Sequence, residues 1–233
     1  MHVTAGALQF RAGPAAYADI KKRGFAIERI GTLAGASGGA KWLVLSQLDR
    51  VLVERVLPGL AGPVHLVGSS IGAWRFACYA QAEPLAAIER FERAYLEQSY
   101  SERPDSDEIT RKSEAILEEM LGRTGAAEAV AHPHCRLHIM TVLCGRLTAS
   151  DRRWRLASGL LLAAAANLVS RPALGRFFSR ALFFDQRDLP PFYNAGGFPL
   201  AHVPLTAANL PKAVLASGAI PLVLNGVRDI PGA

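Results

Sequence analysis

The sequence predicts an α/β fold built on a mostly parallel sheet. Short apolar runs bounded by glycine alternate with longer amphipathic segments, as expected of strands feeding crossover helices. Two Gly/Ser stretches, AGASGGAKW (34–42) and HLVGSSIGAWR (65–75), each lie where a strand-type run passes into a helix-type run. The chain has 233 residues, 50% of them hydrophobic and 20% charged, enough to bury one sizeable core. That suits one large domain, or a domain and a fraction; a single domain over 1–233, lacking its C-terminal part, is expected.

Taken in order, 14–25 reads as a short helix ending at Gly24, and 26–35 as a strand stopped by small residues. Segment 40–57 places Trp42, Leu45, Leu48, Leu52 and Val56 at three- and four-residue steps, an amphipathic helix ended by Pro58-Gly59. Residues 63–68 form a buried strand between Gly62 and Gly68, followed by a helix from Ile71 with Ile71, Trp74 and Cys78 on one side. A further amphipathic helix spans 84–100, a polar loop 101–108 and a helix 111–122 ending at Gly122. Strands are expected at 135–145 and 181–185, a Pro/Gly-rich loop at 188–198 and a capped helix at 206–219. Segment 156–169, LASGLLLAAAANLV, is too short to span a bilayer comfortably. It reads as a buried or half-buried helix. Arginines on both sides leave open a segment that dips into a lipid interface.

The formal charge of +6 comes mainly from arginine spread along the chain. It suits a soluble basic protein or attraction to an anionic surface such as phospholipid headgroups. No nucleic-acid recognition module is present. Three cysteines without a CxxC, Cys78, Cys135 and Cys144, speak against a disulfide framework and for a reducing compartment. The first fourteen residues lack the pattern of a secretory signal. A cytoplasmic protein with peripheral membrane contact is expected.

Both Gly/Ser stretches fit G-x-S-x-G, at Gly35–Gly39 and at Gly68–Gly72. In a nucleophile elbow this pattern lifts a serine clear of the backbone and aims it at the start of a helix. Strand, Gly68, Ser70, Gly72 and helix follow in the order required, so Ser70 is the candidate nucleophile. The alternative is a tight glycine turn with a capping serine. The first copy differs in its adjacent Gly38-Gly39. Consecutive glycines bring backbone N–H groups close to a substrate, as an oxyanion hole demands. A phosphate-binding turn is the competing reading, but the spacing of a P-loop is missing. Lys41 is either a solvated first-turn lysine or a draw for anionic substrate groups. Trp42 and Trp74 read as core anchors.

With these motifs in order, the chain resembles the patatin-like phospholipases. Ser37-Gly38-Gly39-Ala40-Lys41-Trp42 matches that family's Gly-rich oxyanion stretch in two glycines and the basic residue, departing at Ser37 and Trp42. Gly68–Gly72 matches its serine motif fully, and 205–227 is similar to its A-S-x-A-I-P segment. The resemblance implies a three-layer α/β/α lipid acyl hydrolase with a Ser-Asp dyad. Ser70 would be the nucleophile, Gly38 and Gly39 the oxyanion hole, and Gly68 and Gly72 the elbow glycines. A lipid ester would be the substrate, with no cofactor or metal.

The family's aspartate lies in an Asp-Gly turn, and none of the 233 residues makes an Asp-Gly pair. The partner is therefore expected beyond Ala233, and the chain as given is expected to be nearly inactive. The alternative is a catalytically inactive domain that binds acyl lipid or membrane. Asp229, followed by Ile-Pro, does not fit the turn; Asp185 and Asp188 are the in-chain alternatives. His65 reads as packed or at the sheet edge, and His202 as isolated. His132, His134, Cys135 and His138 match no standard zinc spacing.

Overall fold

The computed structural model describes residues 2–5, 8–150 and 152–233. Met1, Gly6, Ala7 and Asp151 lie outside them, and with them part of the N-terminal stretch read above for a leader. The chain opens with a hairpin, β1 (His2–Ala5) and β2 (Leu8–Arg11), then helix α1 (Pro14–Arg23). The main sheet has five strands: β3 (Thr32–Gly35), β4 (Val64–Ser69), β5 (Cys135–Cys144), β6 (Phe178–Phe184) and β7 (Leu200–Pro204). They lie side by side in chain order. β3–β4, β4–β5 and β6–β7 are parallel, and β5–β6 is antiparallel. The fold is therefore α/β with a mostly parallel sheet.

Between the strands run α2 (Ser46–Val51), α3 (Ile71–Tyr79), α4 (Pro84–Leu96), α5 (Ser106–Leu121), α6 (Gly125–Ala131) and α7 (Arg153–Val169). α8 (Leu210–Gly218) follows β7. α5 starts inside the stretch read as a loop. Asp105 caps it by accepting from the Glu108 N–H at 2.8 Å, and Asp107 and Glu108 favour its positive end. The expected strand at 26–35 is a short helical turn, Ile27–Arg29, and then the four residues of β3. The hairpin, α6 and β7 carry too few periodic positions to be read from sequence.

β4 alternates between buried and half-buried positions. A Cβ on Gly68 would point at Ala73, so Val64, Leu66 and Gly68 face α3. Their register partners Cys135, Leu137 and Ile139 continue that face, which is buried beneath α3 and α8. All nine residues of α3 are buried, because helices α4 and α8 cover what the sheet does not. Trp42 and Trp74 both stack on Phe91 of α4, at 4.4 and 5.5 Å between ring centroids, and anchor the core.

The opposite sheet face carries a polar pair. His65 and His138 lie on adjacent strands with Nδ1 and Nε2 2.9 Å apart, and Phe192 packs edge-on against both rings. His138 Nδ1 accepts from the Asp185 N–H at 3.3 Å, so the neutral ring carries its proton on Nε2 and donates it to His65. Burial, and then the neighbouring His65, lowers His138 from 6.5 to about 3; Asp185 opposes the shift and Arg136 adds to it. His65 is also lowered, by burial foremost, with Asp188 opposing.

A histidine held neutral in the fold binds its proton only on unfolding, so its stabilisation is complete above the ordinary value of 6.5 and is lost as the pH falls below it. Between about pH 7 and about pH 5, His138 alone is expected to remove about 2 kcal/mol of unfolding free energy. Urea denaturation across that range measures the loss. His138→Gln, which does not titrate, should flatten the slope.

Candidate active site

β4 and α3 meet at Ser70. Its φ of 54° and ψ of −129° place a non-glycine residue in the left-handed half of backbone space, at a cost of about 1–3 kcal/mol. The turn survives because its flanks admit no side chain. A Cβ on Gly72 would lie 2.1 Å from the Gly35 carbonyl oxygen, and one on Gly68 would lie 2.4 Å from the Ala73 Cα. Both glycines of the second motif are thus dictated by packing. The Ser70 carbonyl starts α3 by accepting from the Ala73 N–H at 2.8 Å, while its own N–H donates to Ser217 Oγ at 2.7 Å. Ser217 donates in turn to the Met140 carbonyl at 2.7 Å. One hydroxyl therefore ties the turn to β5 from the end of α8. In the sequence the one signal for Ser217 is its place one residue before the glycine that ends α8.

The first Gly/Ser stretch lies directly beside the second. Gly35 pairs with Gly68 in the parallel register, so Ser37 and Ser70 occupy equivalent places after adjacent strands. Ser37 Oγ is 3.3 Å from Ser69 Oγ. The two turns nevertheless differ. In the first, the left-handed φ falls on Gly39 (53°) rather than on the serine, and a tight helical turn, Gly39–Leu45, follows. Gly38 and Gly39 are exposed, and a Cβ on either would meet nothing within 4 Å. The core does not require these glycines; they leave open space above the backbone of the turn after β3.

A cavity of about 540 Å³ opens alongside, with Ser37, Gly38 and Lys41 among its lining. Leu33, Leu45, Leu48, Leu52, Ile71 and Phe76 make its apolar wall. This corrects the apolar stripe expected for 40–57. The buried positions are Trp42, Ser46, Asp49, Val53 and Leu57, while Leu48 is 49% exposed. The segment is also no uniform α-helix: a tight 3₁₀ start, the short α2 and one wide π turn, Leu52–Val56, follow one another.

The cause lies at Asp49. Its buried carboxylate accepts from Arg75 Nε at 2.8 Å, from Arg75 Nη2 and from the Tyr79 hydroxyl at 2.6 Å, both partners being on α3. Burial works against the Arg75 charge, but its bonds to Asp49 outweigh that and raise the guanidinium above its ordinary value. Burial and then Asp49 push the Tyr79 phenol up. An acid four residues after Leu45, inside an apolar stripe, was the sequence signal for this clamp.

The acids considered as partners for Ser70 lie elsewhere. Leu66, Leu137 and Asp185 stand level across the sheet by register. Ser70 is four residues further along β4, about 13 Å on. Asp185 bonds to Arg187 and the Asp185 N–H to His138, while Asp188 bonds to Arg136. Asp229 lies where the chain runs back along α8: the Lys212 ammonium donates to its carbonyl at 2.9 Å, five residues before Ser217.

Two further histidines are engaged elsewhere. His132 Nδ1 accepts the N–H groups of His134 and Cys135, and His202 stacks on Tyr193 at 3.9 Å. Among the described residues no group of three His, Cys, Asp or Glu side chains could hold a metal ion.

No protein-family model, curated protein or solved structure matches the chain.

Gly72→Ala is expected to destabilise the protein by about 3 kcal/mol or more, because backbone must move to admit the methyl. Gly62→Ala, with nothing within 4 Å of the added carbon, is the control and should shift the melting temperature little. Ser70→Gly should instead stabilise by about 1 kcal/mol, read by urea unfolding, since glycine relieves the φ strain. Asp49→Ala strands a buried guanidinium and is expected to cost about 3–5 kcal/mol in the same measurement.

Proposed function

We propose that the protein is a lipid acyl hydrolase of the patatin-like, three-layer α/β/α type, with Ser70 as its nucleophile. The observation that carries this reading is the strained serine between two glycines that tolerate no side chain. Strain of this kind at a strand-to-helix turn is retained where a side chain must be presented for chemistry. Ser70 attacks the ester carbonyl, a base takes its proton, the alcohol leaves, and water then releases the acid from the acyl-enzyme. Backbone N–H groups at Gly38 and Gly39 stabilise the oxyanion, each worth roughly 2.7–4 kcal/mol in the transition state. The apolar cavity beside them accepts the acyl chain, and Lys41 at its rim favours an anionic headgroup.

The reading needs a carboxylate within hydrogen-bond reach of Ser70. Asp185 and Asp188 are bonded to arginines away from it, and no bond joins Asp229 to it among the described residues, which favours a second reading, an inactive domain that binds acyl lipid. A fluorophosphonate probe separates the two. Labelling at Ser70 is expected; labelling at Ser37 reverses the roles of the two turns, and no labelling in a chain continued into an Asp-Gly turn supports the inactive domain. In that continued chain Ser70→Ala should lower kcat for a phospholipid or p-nitrophenyl ester by at least about a thousandfold. Unchanged turnover sinks the assignment.

A further inference from the structure

We propose that α7 is a docking surface that lies in the interface of an anionic lipid bilayer. The helix does not rest on the sheet. It packs on the short helical turns at Arg146–Ala149 and Arg171–Arg176, through a narrow seam in which only Gly159 and Ala163 are buried. The seam is close enough that a Cβ on Gly159 would lie 2.9 Å from Leu147. At 100° per residue the seam's opposite side is the stripe Trp154, Ser158, Leu161, Ala165 and Leu168. Trp154 is 64% exposed, Leu161 72%, and Leu168 and Val169 88% each, so the most apolar side of the helix faces outward.

Ser158 is the one polar residue in that stripe, and its hydroxyl donates to the Trp154 carbonyl at 2.8 Å. Apart from the indole N–H of Trp154 at its end, which suits the headgroup level, the face presents no side-chain donor that would resist an apolar surrounding.

Charge identifies the occupant. Arg152, Arg153 and Arg155 surround the start of the face at Trp154, and Arg171 and Arg176 follow its end, all exposed. None of the five is in an ion pair among the described residues. From 152 to 184 the sequence contains no Asp or Glu. An apolar stripe bracketed at both ends by arginine, with a tryptophan at one end, fits a helix lying flat among headgroups and acyl chains. Arg155 lies 5.3 Å over the Trp154 ring, which keeps cation and aromatic together at that level. The helix is not long and apolar enough to cross a membrane. β5 runs four residues past Met140, the register partner of Ser69, so α7 hangs beyond the same sheet end as Ser70.

The test is binding without turnover, so its outcome is separable from the Ser70 reading. The full chain is centrifuged with phosphatidylcholine vesicles, with and without phosphatidylserine. Co-sedimentation is expected with the anionic vesicles, weakened by salt, together with a blue shift of Trp154 emission that Trp154→Phe removes. Leu161→Glu and Leu168→Glu should each lower partitioning about tenfold. These side chains are outside the core, so the melting temperature should hold. Replacing Arg153, Arg155 and Arg171 with Gln should remove the preference for phosphatidylserine. No co-sedimentation, or glutamate variants that bind like the parent chain, overturns the proposal. So does a concentration-dependent dimer in vesicle-free buffer that Leu168→Glu dissolves, since a second copy would then cover the face.

Discussion

The backbone of Gly72 lies against the carbonyl of Gly35, and the candidate site is arranged around that contact. It brings the start of α3 within a peptide's thickness of the end of β3, closer than any side chain allows. The two strand ends are already level, because Gly35 and Gly68 pair in the parallel register. Register and close approach together fix where each chain leaves the sheet. One exit becomes the strained turn at Ser70 and the other the open turn at Gly38-Gly39. The Ser217 hydroxyl, bonded to both Ser70 N–H and Met140 carbonyl, secures the first exit against β5.

A second constraint works from behind the turns. Asp49 and Arg75 are charged groups taken out of water, and only their mutual bonds, with Tyr79, make that tolerable. The pair ties the helical run after the first turn to the helix after the second. Satisfying it rotates that run, so Asp49 occupies a core position and Leu48 does not. The displaced leucines are not lost to the protein. Leu45, Leu48 and Leu52 become the wall of the cavity beside the exposed glycines. A polar requirement in the core thus creates an apolar surface at the candidate site.

These places are not arranged for stability alone. The φ of Ser70, the buried ion pair and the exposed leucines each cost folding free energy that a purely structural domain could save. The polar pair His65–His138, on the other sheet face and level with Asp185, belongs to the fold. The proton they share, the bond to the Asp185 N–H and the aromatic cover of Phe192 all lie within that layer.

Local pattern was enough for the alternation of strand and helix, the mostly parallel sheet and the two Gly/Ser turns. Each rests on periodicity or on residues whose backbone demands are intrinsic, such as Gly68 and Gly72 around Ser70. The order of the turns along the chain also followed, since both are short-range features. The register that sets Ser37 and Ser70 side by side did not follow, because strand pairing joins residues more than thirty positions apart. Neither did the burial of Asp49, which depends on Arg75 and Tyr79 arriving on another helix, nor the role of Ser217, which joins α8 to the turn. The outward-facing side of α7 was equally hidden. Periodicity shows that a helix has an apolar side, but only the tertiary packing of Gly159 and Ala163 decided that this side looks away from the core.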